Sequence, residues 1–276
     1  MPRGMRMLAV VTCAGALGNL AIPAPTGIPA PEIPAPGFAA LAEVDPSIGQ
    51  EMRYATAHNF TGAVVEGYEE PVCLLARPAA EALRRAQREV LRRGYSLLVY
   101  DCYRPQRAVD RFVQWARDGA DQGTKAEFYP RVEKDRLVPE GYIAEKSGHS
   151  RGSTVDVALT DLGREPLDMG TPFDFFDPLA RTDNPRVTGP ARAHRNTLKE
   201  ALGAQGFVNL PEEWWHFTYK PEAFPDTYFD FPVSVAAVRP SGRQYGAGRD
   251  LRFVRGVLAD RAELARRERV TGDAFP

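Results

Sequence analysis

The sequence predicts an α+β domain: an antiparallel sheet with helices packed on it. Three observations lead there. Several runs carry apolar residues at helical spacing, and several shorter runs have the length and composition of strands. The strands do not alternate regularly with the helices, as a doubly wound parallel sheet would require. The 276 residues are 43% hydrophobic and 26% charged, an ordinary globular composition in a chain long enough to bury a real core. A formal net charge of -1 supplies no basic stripe, so no nucleic-acid partner is expected. Three cysteines are too few for a disulfide-dense scaffold.

In chain order, Arg3 and Arg6 precede an apolar stretch from Met7 to about Ile22. That is the pattern of an export signal over residues 1–22, so a secreted or envelope-associated protein is expected, with no stable membrane span after signal removal. Cys13 as a lipid acceptor is a minority reading, because Thr12 before it fits poorly. Ile-Pro-Ala-Pro then recurs at residues 22, 28 and 33. Proline fixes φ and removes donors, so residues 23–37 read as an extended linker. The folded domain is expected over 38–232, with 233–276 as an arginine-rich C-terminal extension that includes a candidate helix over Asp260–Val270.

Within the domain, Pro78–Arg93 reads as a helix with Leu83, Ala86, Val90 and Leu91 as its apolar stripe and Gly94 as the stop. Tyr95–Tyr100 is a short apolar strand, and Pro105–Arg117 a helix with Ala108, Phe112 and Trp115 on one face. Pro190–Ala204 is a third helix, closed by Gly206. Strands are expected at Thr154–Leu159, Phe207–Leu210 and Trp214–Tyr219. Of four histidines, His58 reads as structural or surface, and His194 as lying with Arg192 and Arg195 on a solvated helix face.

The other two histidines sit in segments that can carry chemistry. In the run from Ser147 to Leu159, alternation puts Val155, Val157 and Leu159 on one face and turns Asp156 to the other. A carboxylate there needs a counter-charge, which either a metal shared with His149 or a satisfied polar network can supply. In Glu213-Trp214-Trp215-His216, Glu213 can serve the same site as His216 only from a turn before the strand; two tryptophans beside a histidine also fit a plain core. Taken together, His149, Asp156 and His216 make three ligands with an open fourth position, the pattern of catalytic zinc, and Glu213 is left as a free carboxylate. Such a set suits amide hydrolysis.

These motifs resemble the VanX-type D-alanyl-D-alanine dipeptidases, in the zinc peptidase family M15 that also holds DD-carboxypeptidases. The resemblance runs from about Tyr54 to Pro232. It rests on Tyr54-Ala55-Thr56 with Asn59-Phe60-Thr61-Gly62, Asp101-Cys102-Tyr103-Arg104-Pro105, Ser147-Gly148-His149-Ser150-Arg151-Gly152, Met169-Gly170-Thr171 with Phe173-Asp174, Glu213-Trp214-Trp215-His216, and Tyr228-Phe229-Asp230-Phe231-Pro232. It implies the DD-peptidase fold shared with hedgehog-like domains, one Zn2+ per chain on His149, Asp156 and His216, and Glu213 as general base and acid. Arg104 would stabilise the tetrahedral intermediate, with Asp101 and Tyr103 supporting its turn. Tyr54 and Asp174 would hold the ammonium of a small dipeptide, and Ser147 would line its pocket. Hydrolysis of D-Ala-D-Ala is the implied reaction. The alternatives are a DD-carboxypeptidase or wall endopeptidase with the same centre, or a non-catalytic zinc domain. Cytoplasmic members lack the N-terminal signal, and export would suit D-alanine salvage or wall turnover. Cys73 and Cys102 flank the first helix and following strand. In an oxidising compartment they are expected to pair, the alternative being two small buried residues.

Overall fold

The computed structural model describes residues 37–239. The expected signal, the linker up to Pro36 and residues 240–276, including the candidate helix Asp260–Val270, lie outside the described residues. The chain forms β1 (Phe38–Ala40), α1 (Leu41–Val44), β2 (Gly49–Gln50), β3 (Leu74–Ala76), α2 (Arg77–Arg92), β4 (Tyr95–Asp101), α3 (Gln106–Arg117), α4 (Lys125–Phe128), β5 (Thr154–Asp161), α5 (Gly189–Gly203), β6 (Phe207–Asn209) and β7 (His216–Tyr219). Five strands make one sheet in the order β2-β4-β5-β7-β6, and β1 and β3 form a separate antiparallel pair. Only β2 runs parallel to its neighbour; β4, β5, β7 and β6 pair antiparallel. This is the α+β architecture the sequence predicts, with one parallel edge added.

The helices form where the apolar spacing put them. In α2, Pro78 occupies the first turn and Ala79, Leu83, Ala86 and Val90 are buried against β4 and α5. Leu91, expected in that stripe, points out and is exposed. Gly94 takes a positive φ just past the helix, a conformation that favours glycine. α3 buries Ala108, Phe112, Trp115 and Ala116. The expected strand Trp214–Tyr219 is shorter than its apolar run. Trp214 and Trp215 lie in the turn before it, and β7 starts at His216.

β5 is the central strand, buried from Thr154 to Thr160. Its register sets the site. Asp156 lies directly across from Asp101 of β4 on one side and from His216 of β7 on the other. The ladder slips between Val99 and Asp101, and this β-bulge brings Asp101 level with that row.

Two further features brace this sheet. Cys73 and Cys102 are joined by a disulfide with Cα atoms 5.3 Å apart, linking the start of β3 to the end of β4. At the N-terminal edge, Phe38 packs among Tyr103, Phe224, Phe229 and Phe231. The body also runs past the expected boundary at Pro232. Val233 is fully buried, its amide bonds Gly67 O, and its carbonyl accepts from Glu69 and Glu70. Among the described residues no helix is long and apolar enough to cross a membrane.

Candidate active site

Four pieces of chain converge on the carboxyl end of β4 and the start of β5 and β7. The short 3-10 turn Gly148–Arg151 brings in His149, and the Ser147 hydroxyl accepts from the His149 amide at 3.2 Å. The His149 ring lies 2.6 Å from the Cys102 carbonyl through Nδ1. A carbonyl only accepts, so Nδ1 carries the proton and Nε2 presents its lone pair. That Nε2 is 3.2 Å from Asp156 Oδ1 and 3.3 Å from His216 Nδ1. His216 Nδ1 is itself 3.2 Å from Asp156 Oδ1.

The three atoms thus form a nearly equilateral triangle. Bonds of about 2.0–2.1 Å place the ligands of a tetrahedral ion roughly 3.3 Å apart. Asp156 Oδ1 is buried and has no hydrogen-bond partner despite the two ring nitrogens beside it. An orphaned, buried carboxylate oxygen facing two imidazole nitrogens fits a metal centre better than a polar network. His149, Asp156 and His216 are the group able to hold a metal ion among the described residues. Burial opposes ionisation of Asp156, but the two imidazoles outweigh it and hold its carboxyl below the usual range. Burial also opposes the charge on His216, but the carboxylates of Asp156 and Glu213 beside its ring lift it to about 9. A metal bound there takes the place of that proton.

Glu213 sits in the turn before β7, with Oε2 3.4 Å from His216 Nδ1. The turn is held by Asn209, whose side-chain amide donates to the carbonyls of Glu213 and His216. Arg104 donates to Asp101 at 2.9 Å and lies 3.5 Å from Asp156 Oδ2. Its guanidinium stacks over Tyr54 and Phe112. Burial works against the Arg104 charge, and the surrounding Tyr54 and Asp101 more than compensate. Asp101 in turn accepts from the Tyr68 hydroxyl at 2.7 Å. Across the cavity, the Tyr54 hydroxyl donates to Asp174 at 2.8 Å. Asp174 is buried with φ +58. Burial and the nearby Asp156 charge raise its carboxyl well above the usual range.

The cavity between these groups has a volume of ≈ 220 Å³ and is lined by Tyr54, Arg104, Ser147, His149, Asp156, Asp174, Glu213, Trp215 and His216 among others. It is smaller than the roughly 300–1,000 Å³ typical of pockets for drug-sized ligands. A second cavity of ≈ 240 Å³ adjoins it through Tyr142, Phe176, Glu213 and Trp215.

A sequence model of the D-ala-D-ala dipeptidase family matches residues 35–234. The chain belongs to that family of peptidases. It is 41% identical over 198 residues to a D-alanyl-D-alanine dipeptidase of Streptomyces coelicolor, covering 71% of this chain and 98% of the relative. It is 40% identical over 199 residues to that of Enterococcus faecalis, covering 72% and 98%. The Enterococcus faecium enzyme is 37% identical over 198 residues, covering 71% and 98%.

Tyr54, Arg104, Ser147, His149, Asp156, Asp174, Glu213 and His216, singled out in the sequence, all line this cavity, and Asp101 touches it through Arg104; Tyr103 points away and donates to the Phe231 carbonyl. Trp214 faces away as well, donating to Thr171, and Trp215 alone of the pair forms cavity wall. His58 is exposed and contacts Arg53 and Glu127. The reading of α5 needs correction. Arg195 does not lie on a solvated face with His194; it is buried to 1% exposure. The signal was in the helix period, because Ala191, Leu198 and Leu202 bracket Arg195 at i−4, i+3 and i+7 and are all buried. Asn209 was also missed; a lone asparagine in a short strand carries no signal of its own.

Proposed function

We propose that this chain is a zinc dipeptidase that hydrolyses D-Ala-D-Ala to two molecules of D-alanine. The observation that carries the reading is the triangle of donor atoms from His149, Asp156 and His216, with Glu213 and Arg104 beside it in one small cavity. Two imidazoles and one carboxylate suit zinc and leave its fourth position open. His149, Asp156 and His216 would hold the zinc, which would supply activation of water near neutral pH and polarisation of the scissile carbonyl.

The chain's own groups do the rest. Glu213 takes a proton from the attacking water and delivers it to the leaving amine nitrogen as the C–N bond breaks. Arg104, held by Asp101, presents a fixed positive charge to the oxygen that gains negative charge as the carbonyl becomes tetrahedral. Asp174 pairs with the substrate ammonium, and the Tyr54 hydroxyl fixes the carboxylate for it. Ser147 lines the remaining wall. A cavity of this size leaves little room beyond a dipeptide. An exported location, with salvage of wall-derived D-alanine, is the setting this reading takes from the N-terminal sequence.

A second reading, a DD-carboxypeptidase acting on longer chains, is favoured by the adjoining cavity that opens through Glu213 and Trp215. Release of D-alanine by the purified protein with added zinc separates the two. Cleavage of D-Ala-D-Ala but not of its N-acetyl derivative is expected. Glu213→Ala should lower kcat by about 10²–10⁴-fold. Equal cleavage of the blocked substrate would establish the carboxypeptidase reading instead.

A further inference from the structure

Asp174 sits in the long segment between β5 and α5, and its geometry is costly. Its backbone is left-handed, which a non-glycine residue rarely adopts. Its carboxyl is buried beside a second carboxylate, Asp156. Such a conformation persists only where the surroundings over-determine it. The surroundings here converge on one side chain. Arg195 reaches from α5 and donates through Nε to Met169 O at 2.6 Å, and through Nη1 to Arg181 O at 2.7 Å. Both Nη atoms also lie 3.3 Å from Leu179 O. One guanidinium therefore ties together both ends of the segment that carries Asp174.

Among the described residues Arg195 has no carboxylate within ion-pair distance. A buried guanidinium is normally paired, so this one is committed to main-chain carbonyls. Burial and the neighbouring Arg192 lower it to about 10. The far side of the same segment is tied to the turn that carries Glu213. Trp214 donates from its backbone to Ala180 O and from its indole to Thr171. Thr182 bonds Asn209, which holds the Glu213–His216 turn.

We propose that Arg195 is a positioning residue for free-amine selectivity, clamping residues 169 and 179–181 together so that Asp174 is presented to the cavity at the depth that reads an ammonium. This rests on the assignment of Asp174 to the substrate's ammonium. The planar fork is essential: it serves three carbonyls from different directions, whereas a lysine offers its donors from one atom. Loss of the fork lets the segment ends part and Asp174 relax, with the donor triangle of His149, Asp156 and His216 left in place.

The test uses the full-length, zinc-loaded protein and two ligands that differ only at the amine. These are D-Ala-D-Ala, read by KM and kcat, and N-propionyl-D-alanine, in which hydrogen replaces the ammonium, read by its inhibition constant. In Arg195→Lys the KM for the dipeptide should rise by about 10–100-fold, the penalty of a misplaced binding group. The inhibition constant for N-propionyl-D-alanine should stay within about threefold, because that ligand has no ammonium to misplace. Asp174→Asn is the control. If it leaves the KM-to-inhibition ratio unchanged, the ammonium assignment itself fails. If it raises the ratio and Arg195→Lys does not, the clamp alone is overturned. A ratio preserved in Arg195→Lys while kcat falls, or loss of the thermal unfolding transition in both Arg195→Lys and Arg195→Met, assigns Arg195 a purely structural role and overturns the proposal.

Discussion

Asp174 concentrates the conflict between stability and function in this molecule. Burial first, and then the Asp156 charge, raise its carboxyl above the usual range. A carboxyl raised by folding is most compatible with the fold when protonated, and it costs stability as pH rises through its folded value. Pairing with an ammonium reverses that preference, so substrate binding should draw off the proton. KM for D-Ala-D-Ala is therefore expected to fall as pH rises above the ordinary carboxylate range, until the substrate's own amine loses its proton. Asp174→Asn should flatten this limb of a KM–pH profile. Asparagine tolerates the left-handed backbone and carries no charge, so the same variant should melt higher than the unaltered protein at neutral pH. A lower melting temperature would show that the Tyr54–Asp174 bond stabilises more than the buried charge costs. The residue types of the site could be read from sequence because histidine, aspartate and glutamate declare their chemistry. Arg195 could not be read the same way. Arginine next to His194 and Arg192 resembles a solvated face, and only the buried neighbours at helical spacing reveal that this one points inward.

At the level of elements, helices were legible and the shortest strands were not. α2 and α3 announce themselves by stripes of alanine, leucine and phenylalanine that repeat over several turns. β1, β2 and β3 have three, two and three residues, too few for an alternating pattern to show. β2 exists because β4 offers it a free edge, and β1 and β3 because they pair with each other; both are properties of the assembled chain. Glu213 illustrates the intermediate case: its offset of three from His216 demanded a turn before the strand, and a turn is what the structure has there. The turn after β4 gathers three tasks into four residues. Asp101 anchors Arg104, the Cys102 carbonyl orients His149, and the Cys102 sulfur joins Cys73. The disulfide closes a sequence separation of 29, which in the chain-entropy model contributes about 3–4 kcal/mol. Cys73→Ser with Cys102→Ser should lower the denaturation free energy by about that amount, read from urea midpoints. An unchanged midpoint would mean that the two thiols are not bridged in solution.

For the whole molecule, the donor triangle and the aromatic edge are two places where the stability of the fold can be probed. The donor atoms come from two neighbouring strands and one turn, and an ion bound there stabilises only the folded chain. At a zinc concentration 1,000-fold above its dissociation constant the gain is about 4 kcal/mol. Chelation should lower the melting temperature, and zinc should restore it. A melting temperature indifferent to chelator would argue against a bound ion. The aromatic edge offers a second check. Phe38 is buried among four aromatic rings, and the lack of a Cβ at Gly152 leaves its ring the space it occupies. Phe38→Ala should cost about 3–5 kcal/mol while leaving zinc stoichiometry per folded molecule unchanged, as measured by metal analysis of the soluble fraction.

Asp101, Asp156 and His216 stand in one row across three adjacent strands. Backbone pairing allows only whole-residue steps, and each step turns a side chain to the opposite face. The two donors on strands, Asp156 and His216, are therefore quantised relative to each other: they face one another across the ladder or they do not, and a small shear of the sheet cannot leave them half-aligned. Gradual adjustment is open to the parts outside every strand: the turns that carry His149 and Glu213, and the walls at 141–147 and 169–176. Variants with altered substrate preference should thus arise by editing those walls, with the row passed on intact.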